Sequence, residues 1–175
     1  SVSVGTHAVR LIERLFDGKL GNKTALVIGA GKIGQISMKN LISGGIGKIY
    51  VTNRTHARAR DASKAYHNVE AVDYHMRYRV MNGCDIIISS TDSPHYTITR
   101  DLLEKELQVE KERVFIDLAV PRDMDVDIKT LPWVRYFNID DLQPEVDRNI
   151  GRRLLEASKA EEIISEGVSE FEKWY

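Results

Sequence analysis

The feature that most constrains this chain is an apolar run that ends in a glycine-rich hexapeptide. The run spans residues 24–28, and glycines follow at the first, third and sixth places of the hexapeptide, at Gly29, Gly31 and Gly34. A short run rich in β-branched residues is typical of a strand buried on both faces of a parallel sheet. Apolar residues at helical spacing follow the glycines. The pattern therefore predicts a strand, a tight turn and a helix in immediate succession.

Each glycine of the hexapeptide has a physical role in dinucleotide binding. Gly29 permits the turn, Gly31 lets the backbone approach a pyrophosphate, and Gly34 lets the helix pack closely on the strand. The helix N-terminus then faces the anion with its N–H groups and positive dipole end. A plain structural turn is the alternative, and the strand before and helix after favour the dinucleotide site. We predict cofactor contacts along the whole loop: Gly29, Ala30, Gly31, Lys32, Ile33 and Gly34.

The end of the second predicted strand indicates which dinucleotide is bound. This strand spans 48–52, and an NAD site usually carries an acid just after it for the ribose 2′-hydroxyl. Here the residues are Asn53, Arg54 and Thr55. Because an arginine pairs well with a 2′-phosphate, we predict NADPH, with these three residues in contact with it. The alternative is that Arg54 is an ordinary solvated loop residue. Further basic residues either extend the phosphate-binding surface or form a solvated helix face: Arg58, Arg60 and Lys64.

The rest of the chain alternates between helical and strand patterns. A leading helix carries an apolar stripe from Ala8 to Phe16, and it either covers a sheet face or leads in from another domain. Further strands are predicted at 68–72, 85–90, 113–118 and 134–139, and further helices at 56–66 and 74–81. With the first two strands this makes six, and the fold class is α/β, a doubly wound parallel sheet of the Rossmann type.

Residues at the ends of the fourth and fifth strands extend the predicted site. Ser90 ends the fourth strand, Thr91 follows it and Ala119 follows the fifth, at the carboxyl edge where open α/β sheets bind ligands. We predict that all three contact the cofactor, with a polar turn as the alternative for the two hydroxyl residues. The charged segment 122–125 predicts either a loop that closes over the nicotinamide or an internally paired surface turn.

Composition and charge give a broad class. The chain of 175 residues is 42% hydrophobic and 29% charged, which is typical of a soluble globular protein, and its net charge of −1 gives no indication of binding to nucleic acid or anionic membranes. No transmembrane run or signal peptide is evident, so we expect a cytoplasmic protein without membrane contact. The single cysteine, Cys84, lies beside an apolar run and is expected to be a packing thiol. The five histidines include no pair at helical ligand spacing, so no metal site is predicted.

The C-terminal segment predicts one long helix over 144–175. A helix of that length would extend on the order of 48 Å, farther than a compact domain of this size is wide. Its apolar stripe therefore requires a dimer mate or a further domain. The predicted organisation is a leading helix and linker over 1–21, an NADP-binding domain over 22–142, and a helix leading toward a dimerisation domain over 143–175.

Several motifs taken together resemble the glutamyl-tRNA reductase family. They occur in order at 1–3, 29–34, 53–55, 90–91, 116–123 and 139–142. The resemblance covers the whole chain and implies the NADPH-binding domain and the start of the helix that leads to dimerisation. It also implies NADPH-dependent reduction of glutamyl-tRNA to glutamate-1-semialdehyde in tetrapyrrole (porphyrin) biosynthesis. The implied partners are glutamyl-tRNA, bound through a catalytic domain that this chain does not match, a second copy of the full-length protein and glutamate-1-semialdehyde aminomutase.

The chain departs from the family in one respect. The thioester-forming cysteine of the family lies in an N-terminal catalytic domain that nothing here matches, and Cys84 is not its equivalent. We therefore expect an excised or separate domain, which binds the cofactor and is inactive alone, so that no catalytic residue is assigned. Two alternatives remain: a shikimate-dehydrogenase-like or precorrin-dehydrogenase-like oxidoreductase, and a non-enzymatic dinucleotide-sensing module.

Overall fold

The computed structural model describes residues 2–142 and 154–155. The helices are α1 (Val4–Leu15), α2 (Lys32–Ser43), α3 (His56–Ser63), α4 (Arg77–Met81) and α5 (Arg100–Glu106). The strands are β1 (Thr24–Ile28), β2 (Lys48–Thr52), β3 (Val69–Ala71), β4 (Ile86–Ser89), β5 (Arg113–Asp117) and β6 (Val134–Asn138). Short 3₁₀ helices span Tyr74–Met76, Val126–Thr130 and Ile139–Leu142.

The strands form a single parallel sheet in the order β3-β2-β1-β4-β5-β6. The strand order reverses between β1 and β4, where Ile28 is in register with Thr52 on one side and with Ser89 on the other. Every residue of β4 and β5 is buried, because helices cover both faces of the sheet. The predicted doubly wound fold is confirmed. A crevice forms where the two crossovers diverge, at the carboxyl ends of β1 and β4.

The leading helix packs on the same side of the sheet as α2. Its buried residues Ala8 and Ile12 belong to one core with Met38 and Leu41 of α2. The two helices approach closely, since a Cβ on Gly5 would lie 2.8 Å from the Oγ atom of Ser37. Of the two roles expected for this helix, the structure therefore supports the covering of a sheet face. Helix α2, which follows the glycine loop, therefore packs between α1 and the sheet.

The opposite face of the sheet is covered by α4, α5 and the 3₁₀ helix at 126–130. Their buried residues Tyr78, Leu103 and Ile128 share a second core with Phe115 of β5. The helices α5 and 126–130 were absent from the sequence-based prediction. Each buries only one apolar residue, so neither has a helical stripe that a pattern search detects. In α5 the helix start is instead fixed by Thr99, whose hydroxyl accepts from the N–H of Leu102.

Several predicted bounds need correction. The helix expected over 56–66 ends at Ser63, and the helix expected over 74–81 is a 3₁₀ turn followed by α4. The third strand has only three residues because it lies at the sheet edge and pairs with β2 alone. The long helix predicted over 144–175 lies outside the described residues except for Leu154 and Leu155, which are helical. Within the described ranges, no helix combines the length and apolarity that crossing a bilayer requires.

Candidate functional site

A groove of about 410 Å³ lies at the carboxyl edge of the sheet, over the point where the strand order reverses. It begins beside β2, passes over the loop after β1, and ends beside the loop after β5. The lining residues are Gly29, Gly31, Lys32, Ile33, Asn53, Arg58, Ser90, Thr91, Asp92, Leu118, Ala119, Val120 and Ile139. Eight of the twelve residues predicted from the sequence are among them, and Ala30, Gly34, Arg54 and Thr55 are not.

The three glycines of the loop meet three different constraints. Gly29 has a φ of 108°, which side chains rarely tolerate, and a Cβ there would lie 2.9 Å from the carbonyl oxygen of Ser90. A Cβ on Gly34 would overlap the carbonyl group of Gly29, so the packing of α2 on β1 requires glycine. A Cβ on Gly31 would meet no protein atom within 4 Å. The open space at Gly31 faces the groove and is the part of the loop that a ligand can approach.

The N-terminus of α2 presents backbone donors to the groove. Its N-cap is Gly31, which supplies no side-chain acceptor, and its first turn contains no acidic residue. The first N–H groups of a helix have no acceptor within the helix and carry its positive dipole end. Lys32 adds a full positive charge at the groove wall. This end of α2 is therefore suited to bind an anionic group.

Asn53 connects the glycine loop to the end of β2. Its Oδ1 accepts from the N–H of Ala30 at 3.1 Å, and its Nδ2 donates to the carbonyl oxygen of Thr55 at 3.1 Å. On the other side of the loop, Gln35 donates to the carbonyl oxygen of Ala30 at 2.8 Å. The backbone of Ala30 is thus fully hydrogen-bonded to protein. Asn53 lines the groove, and its side-chain amide is already hydrogen-bonded to protein on both its oxygen and its nitrogen.

The two arginines after β2 lie in different places. Arg54 does not line the groove, and its guanidinium carbon lies 5.5 Å from the centre of the Tyr74 ring. Arg77 packs on the same tyrosine at 4.0 Å. Arg58, one helical turn after Arg54, does line the groove, since α3 begins at His56 and its first turn faces the sheet edge. The sequence placed Arg58 among three basic residues with a possible role, and only the fold distinguishes it from Arg60 and Lys64.

The wall beside β4 contains a buried hydroxyl without a partner. Ser90 lies next to the glycine loop, and its Oγ is buried and makes no hydrogen bond within the described part of the chain. Such a group is costly to leave unsatisfied, by about 1–3 kcal/mol, and is usually bonded to water or a ligand. This orphaned donor, the open space at Gly31 and the bare N-terminus of α2 all fit a polar anionic ligand in the groove.

The far wall is shaped by two buried aspartates that the sequence did not single out as site residues. Asp117 and Asp123 are both fully buried. The carboxylate of Asp117 accepts from the N–H groups of Ala119, Asp123 and Met124 at 2.8–3.0 Å, so it folds the loop after β5 back on itself. Burial raises the pKa of Asp117, against the opposing effect of these hydrogen bonds. The segment 122–125 is therefore not an internally paired surface turn, since Asp123 is buried and Arg122 pairs with Asp140 outside the segment.

Asp123 links this loop to the loop after β4. Its carboxylate accepts from Ser89 Oγ at 2.6 Å, from the N–H of Thr91 at 2.7 Å and from Thr91 Oγ1 at 2.5 Å. Its neighbours in the charged segment do something else. Arg122 pairs with Asp140 at 2.9 Å on the surface, and Asp125 accepts from the N–H of Asp127. Only the fold shows which acid of the segment points inward.

Cys84 is a packing thiol, as expected. It is fully buried and its Sγ lies 3.3 Å from the carbonyl oxygen of Val80. Burial, with a smaller contribution from the charge of Asp85, raises the pKa of the Cys84 thiol to about 12. The thiolate form needed for nucleophilic attack is thus strongly disfavoured near neutral pH.

A profile of the shikimate / quinate 5-dehydrogenase family matches residues 10–145, more than three quarters of the chain. The chain belongs to this family. The chain is also similar to glutamyl-tRNA reductase from Thermodesulfovibrio yellowstonii, with 40% identity over 99% of this chain and 40% of that protein. For glutamyl-tRNA reductase from Syntrophus aciditrophicus the identity is 40%, over 99% of this chain and 41% of that protein.

Solved structures agree with the sequence relatives. Glutamyl-tRNA reductase from Methanopyrus kandleri matches with a TM-score of 0.79 and 32% identity, over 99% of this chain and 44% of that one. A shikimate dehydrogenase in complex with NADP+ matches with a TM-score of 0.60 over 81% of this chain and 52% of that one, and its 18% identity shows only a shared fold. The predicted resemblance to glutamyl-tRNA reductases is confirmed. The chain spans about two fifths of the length of the curated relatives it matches.

Proposed function

We propose that this chain is the NADPH-binding domain of a glutamyl-tRNA reductase. The observation that carries the proposal is the glycine loop at the point of strand-order reversal, where Gly31 leaves open space in front of the bare N-terminus of α2. Nucleotide pyrophosphates bind at such helix ends in open α/β sheets. The similarity to glutamyl-tRNA reductases over nearly the whole chain supports the choice of reductase.

The proposed domain boundaries are those predicted from the sequence. Residues 22–142 form the nucleotide-binding domain, 1–21 the leading helix and linker, and 143–175 the helix toward a dimerisation domain. In the full-length protein, glutamyl-tRNA is the proposed substrate, and a cysteine in another domain would hold the glutamyl group as a thioester. A second copy of the protein and glutamate-1-semialdehyde aminomutase are the proposed protein partners. The cellular location we propose is the cytoplasm.

The residues of the groove divide into three proposed roles. The loop from Gly29 to Gly34, with Lys32, would hold the pyrophosphate, and the end of β2 would hold the adenosine half. Ser90, Thr91 and Ala119, which line the wall beside β4 and β5, would then contact the nicotinamide half. NADPH, when bound, supplies a hydride. The chain's own contribution is to orient that half of the cofactor in a pocket whose floor is Leu118 and Ala119, which are buried and apolar.

The absence of an acid after β2 supports NADPH over NADH, and the structure adds Arg58 to Arg54 as a source of positive charge. Arg58 lines the groove, whereas Arg54 does not and has its guanidinium carbon 5.5 Å from the centre of the Tyr74 ring. We propose that Arg58 contacts the 2′-phosphate together with Arg54. Both side chains are exposed, so each is free to adjust to a phosphate without loss of a buried contact.

Calorimetric titration of the chain with NADPH and NADH tests this proposal. We expect NADPH to bind more tightly, and Arg54→Ala and Arg58→Ala each to weaken NADPH by about tenfold, since a charge-assisted hydrogen bond contributes about 1.5 kcal/mol or more. NADH affinity should change little in either variant. Arg60→Ala is the matched control, because Arg60 is exposed on the same helix and does not line the groove. Equal affinities for the two cofactors in the parent chain would contradict the 2′-phosphate assignment.

The reductase assignment needs the full-length protein. With glutamyl-tRNA and NADPH we expect oxidation of NADPH that depends on the charged tRNA and releases uncharged tRNA. Free shikimate or quinate tests the alternative that the family name suggests. Turnover of either compound, without turnover of glutamyl-tRNA, would overturn the reductase assignment and leave nucleotide binding intact.

A further inference from the structure

Thr91 has an unusual hydrogen-bonding state for a residue at a groove wall. Its hydroxyl proton is donated to Asp123 Oδ1 at 2.5 Å, and one lone pair accepts from the N–H of Ser93 at 3.2 Å. A hydroxyl has one proton and two acceptor positions. One acceptor position therefore remains on the hydroxyl of a residue that lines the groove. In this state the Thr91 hydroxyl can accept a hydrogen bond from a ligand but has no proton left to donate.

Asp123 is held so that it imposes this state. It is fully buried, and its second carboxylate oxygen accepts from Ser89 Oγ at 2.6 Å and from the N–H of Thr91 at 2.7 Å. Both of those partners donate to Asp123, and a backbone N–H such as that of Thr91 can only donate. Asp123 is itself fixed by its own N–H, which donates to Asp117 Oδ2 at 2.9 Å. The carboxylate is thus an acceptor on both oxygens, and it draws the Thr91 proton away from the groove.

We propose that Asp123 is a positioning residue that acts through Thr91, by fixing the Thr91 hydroxyl as an acceptor for an N–H or O–H donor on the nicotinamide half of the cofactor. This inference rests on the proposed function. In that binding mode the pyrophosphate lies on α2 and the adenosine half lies toward β2, so the nicotinamide half faces the wall that contains Thr91. Its ribose hydroxyls and carboxamide are the groups that can donate.

Two substitutions test this mechanism at different points. Thr91→Val keeps the shape of the side chain and removes the acceptor. Asp123→Asn keeps the shape of the carboxylate, but its amide group must donate to Thr91 Oγ1 if its oxygen accepts from the Thr91 N–H. The Thr91 proton is then released toward the groove, and the acceptor becomes a donor.

The measurement is the ratio of two dissociation constants in the 175-residue chain. Adenosine 2′,5′-bisphosphate carries the phosphates of the β2 side but no nicotinamide half, and NADPH carries both. Each variant is expected to weaken NADPH by about threefold to tenfold, the effect of one hydrogen bond, and to change the affinity for adenosine 2′,5′-bisphosphate by less than about twofold. Asp123→Asn should have no further effect on the ratio in a Thr91→Val background, because it acts through the hydroxyl that is already gone.

A control separates positioning from a loss of stability. Asp85 lies at the opposite edge of the sheet, where its carboxylate accepts from the N–H of Thr24 at 2.9 Å and pairs with Lys111. Asp85→Asn should lower the free energy of unfolding and leave the ratio unchanged. If Asp123→Asn does not fold, the ratio for Thr91→Val still tests whether the Thr91 hydroxyl accepts from the nicotinamide half.

The outcomes distinguish this inference from the proposed function. A parent chain that binds neither ligand overturns both. A parent chain that binds both, with a Thr91→Val ratio equal to that of the parent, overturns the role of Thr91 and Asp123 and leaves the proposed function standing. If Thr91→Val and Asp123→Asn change the ratio additively in the double variant, Asp123 does not act through Thr91.

Discussion

The two sides of the groove differ in where they keep their charged groups. On the β2 side Arg54 and Arg58 are both exposed. On the β5 side Asp117 and Asp123 are fully buried, and each carboxylate accepts three hydrogen bonds. Exposed charges contribute little to stability but attract a charged ligand, whereas buried hydrogen-bonded carboxylates hold backbone in place. Substitutions on the β2 side should therefore lower affinity, and those on the β5 side should lower stability first.

The glycine loop joins the two sides, and it offers the largest expected effect. Gly34→Ala would place a Cβ against the carbonyl group of Gly29, so α2 must shift away from β1. We expect the free energy of unfolding to fall by about 3 kcal/mol or more, measured by urea denaturation. Gly31→Ala, where the new Cβ meets no protein atom within 4 Å, should leave stability nearly unchanged and weaken NADPH. Similar stability losses in both variants would contradict the distinction between packing and ligand approach.

Asp117 tests the β5 side. Asp117→Asn should lower the free energy of unfolding by about 2 kcal/mol, because an amide cannot accept from all three N–H groups that the carboxylate satisfies. Adenosine 2′,5′-bisphosphate, which we expect on the β2 side, should still bind to the folded variant. A variant with parental stability would show that the loop after β5 does not depend on this carboxylate.

The same residue predicts a pH dependence. Burial raises the pKa of Asp117 above its ordinary value of 3.8. The folded state therefore holds this proton more tightly than the unfolded state, so the extra stability that comes from binding this proton is fully present below pH 3.8 and is lost as pH rises through the raised pKa. We expect the stability of the parent relative to Asp117→Asn to be smaller near pH 7 than near pH 4. Urea denaturation across this range measures it, and a difference that grows with pH would contradict the sign.

The variant Asn53→Ala tests whether a side-chain hydrogen bond on the β2 side contributes to stability. Asn53→Ala removes the acceptor for the N–H of Ala30 and should lower the free energy of unfolding by about 1 kcal/mol. Because Asn53 is half-buried, water can replace part of the lost bond. If Asn53→Ala lowered the free energy of unfolding as much as Asp117→Asn does, the two sides of the groove would not differ in their contribution to stability.

The smallest stability effect is expected at Arg58. Arg58→Ala should change the free energy of unfolding by less than about 0.5 kcal/mol, since the side chain is exposed and has no buried partner to lose. Its effect on NADPH affinity should nevertheless exceed that of Asn53→Ala. A measurable loss of stability in Arg58→Ala without a change in NADPH affinity would show that Arg58 has a structural role and does not contact the cofactor.

The elements with a strong hydrophobic pattern were predictable, and those fixed by single polar contacts were not. The strands β1, β2, β4 and β5 are apolar runs, and the structure confirms their positions within a residue. The helix α5 was missed because it depends on the Thr99 cap and one buried leucine. The site followed the same rule. The glycine loop has a local signature, whereas Asp117 and Asp123 read as ordinary acids until the sheet brings their loops together.

The sequence by itself determines the strand β1, the glycine loop and the absence of an acid after β2. Each of these is a local pattern that a period or a spacing reveals. The choice of Arg58 over Arg60, the inward turn of Asp123 and the opening in front of Gly31 depend on which segments meet at the carboxyl edge of the sheet. In the chain, Gly31 lies 27 residues before Arg58 and 92 residues before Asp123. Burial decides their roles, since the same carboxylate that would be a solvated charge on the surface becomes an obligatory hydrogen-bond acceptor inside.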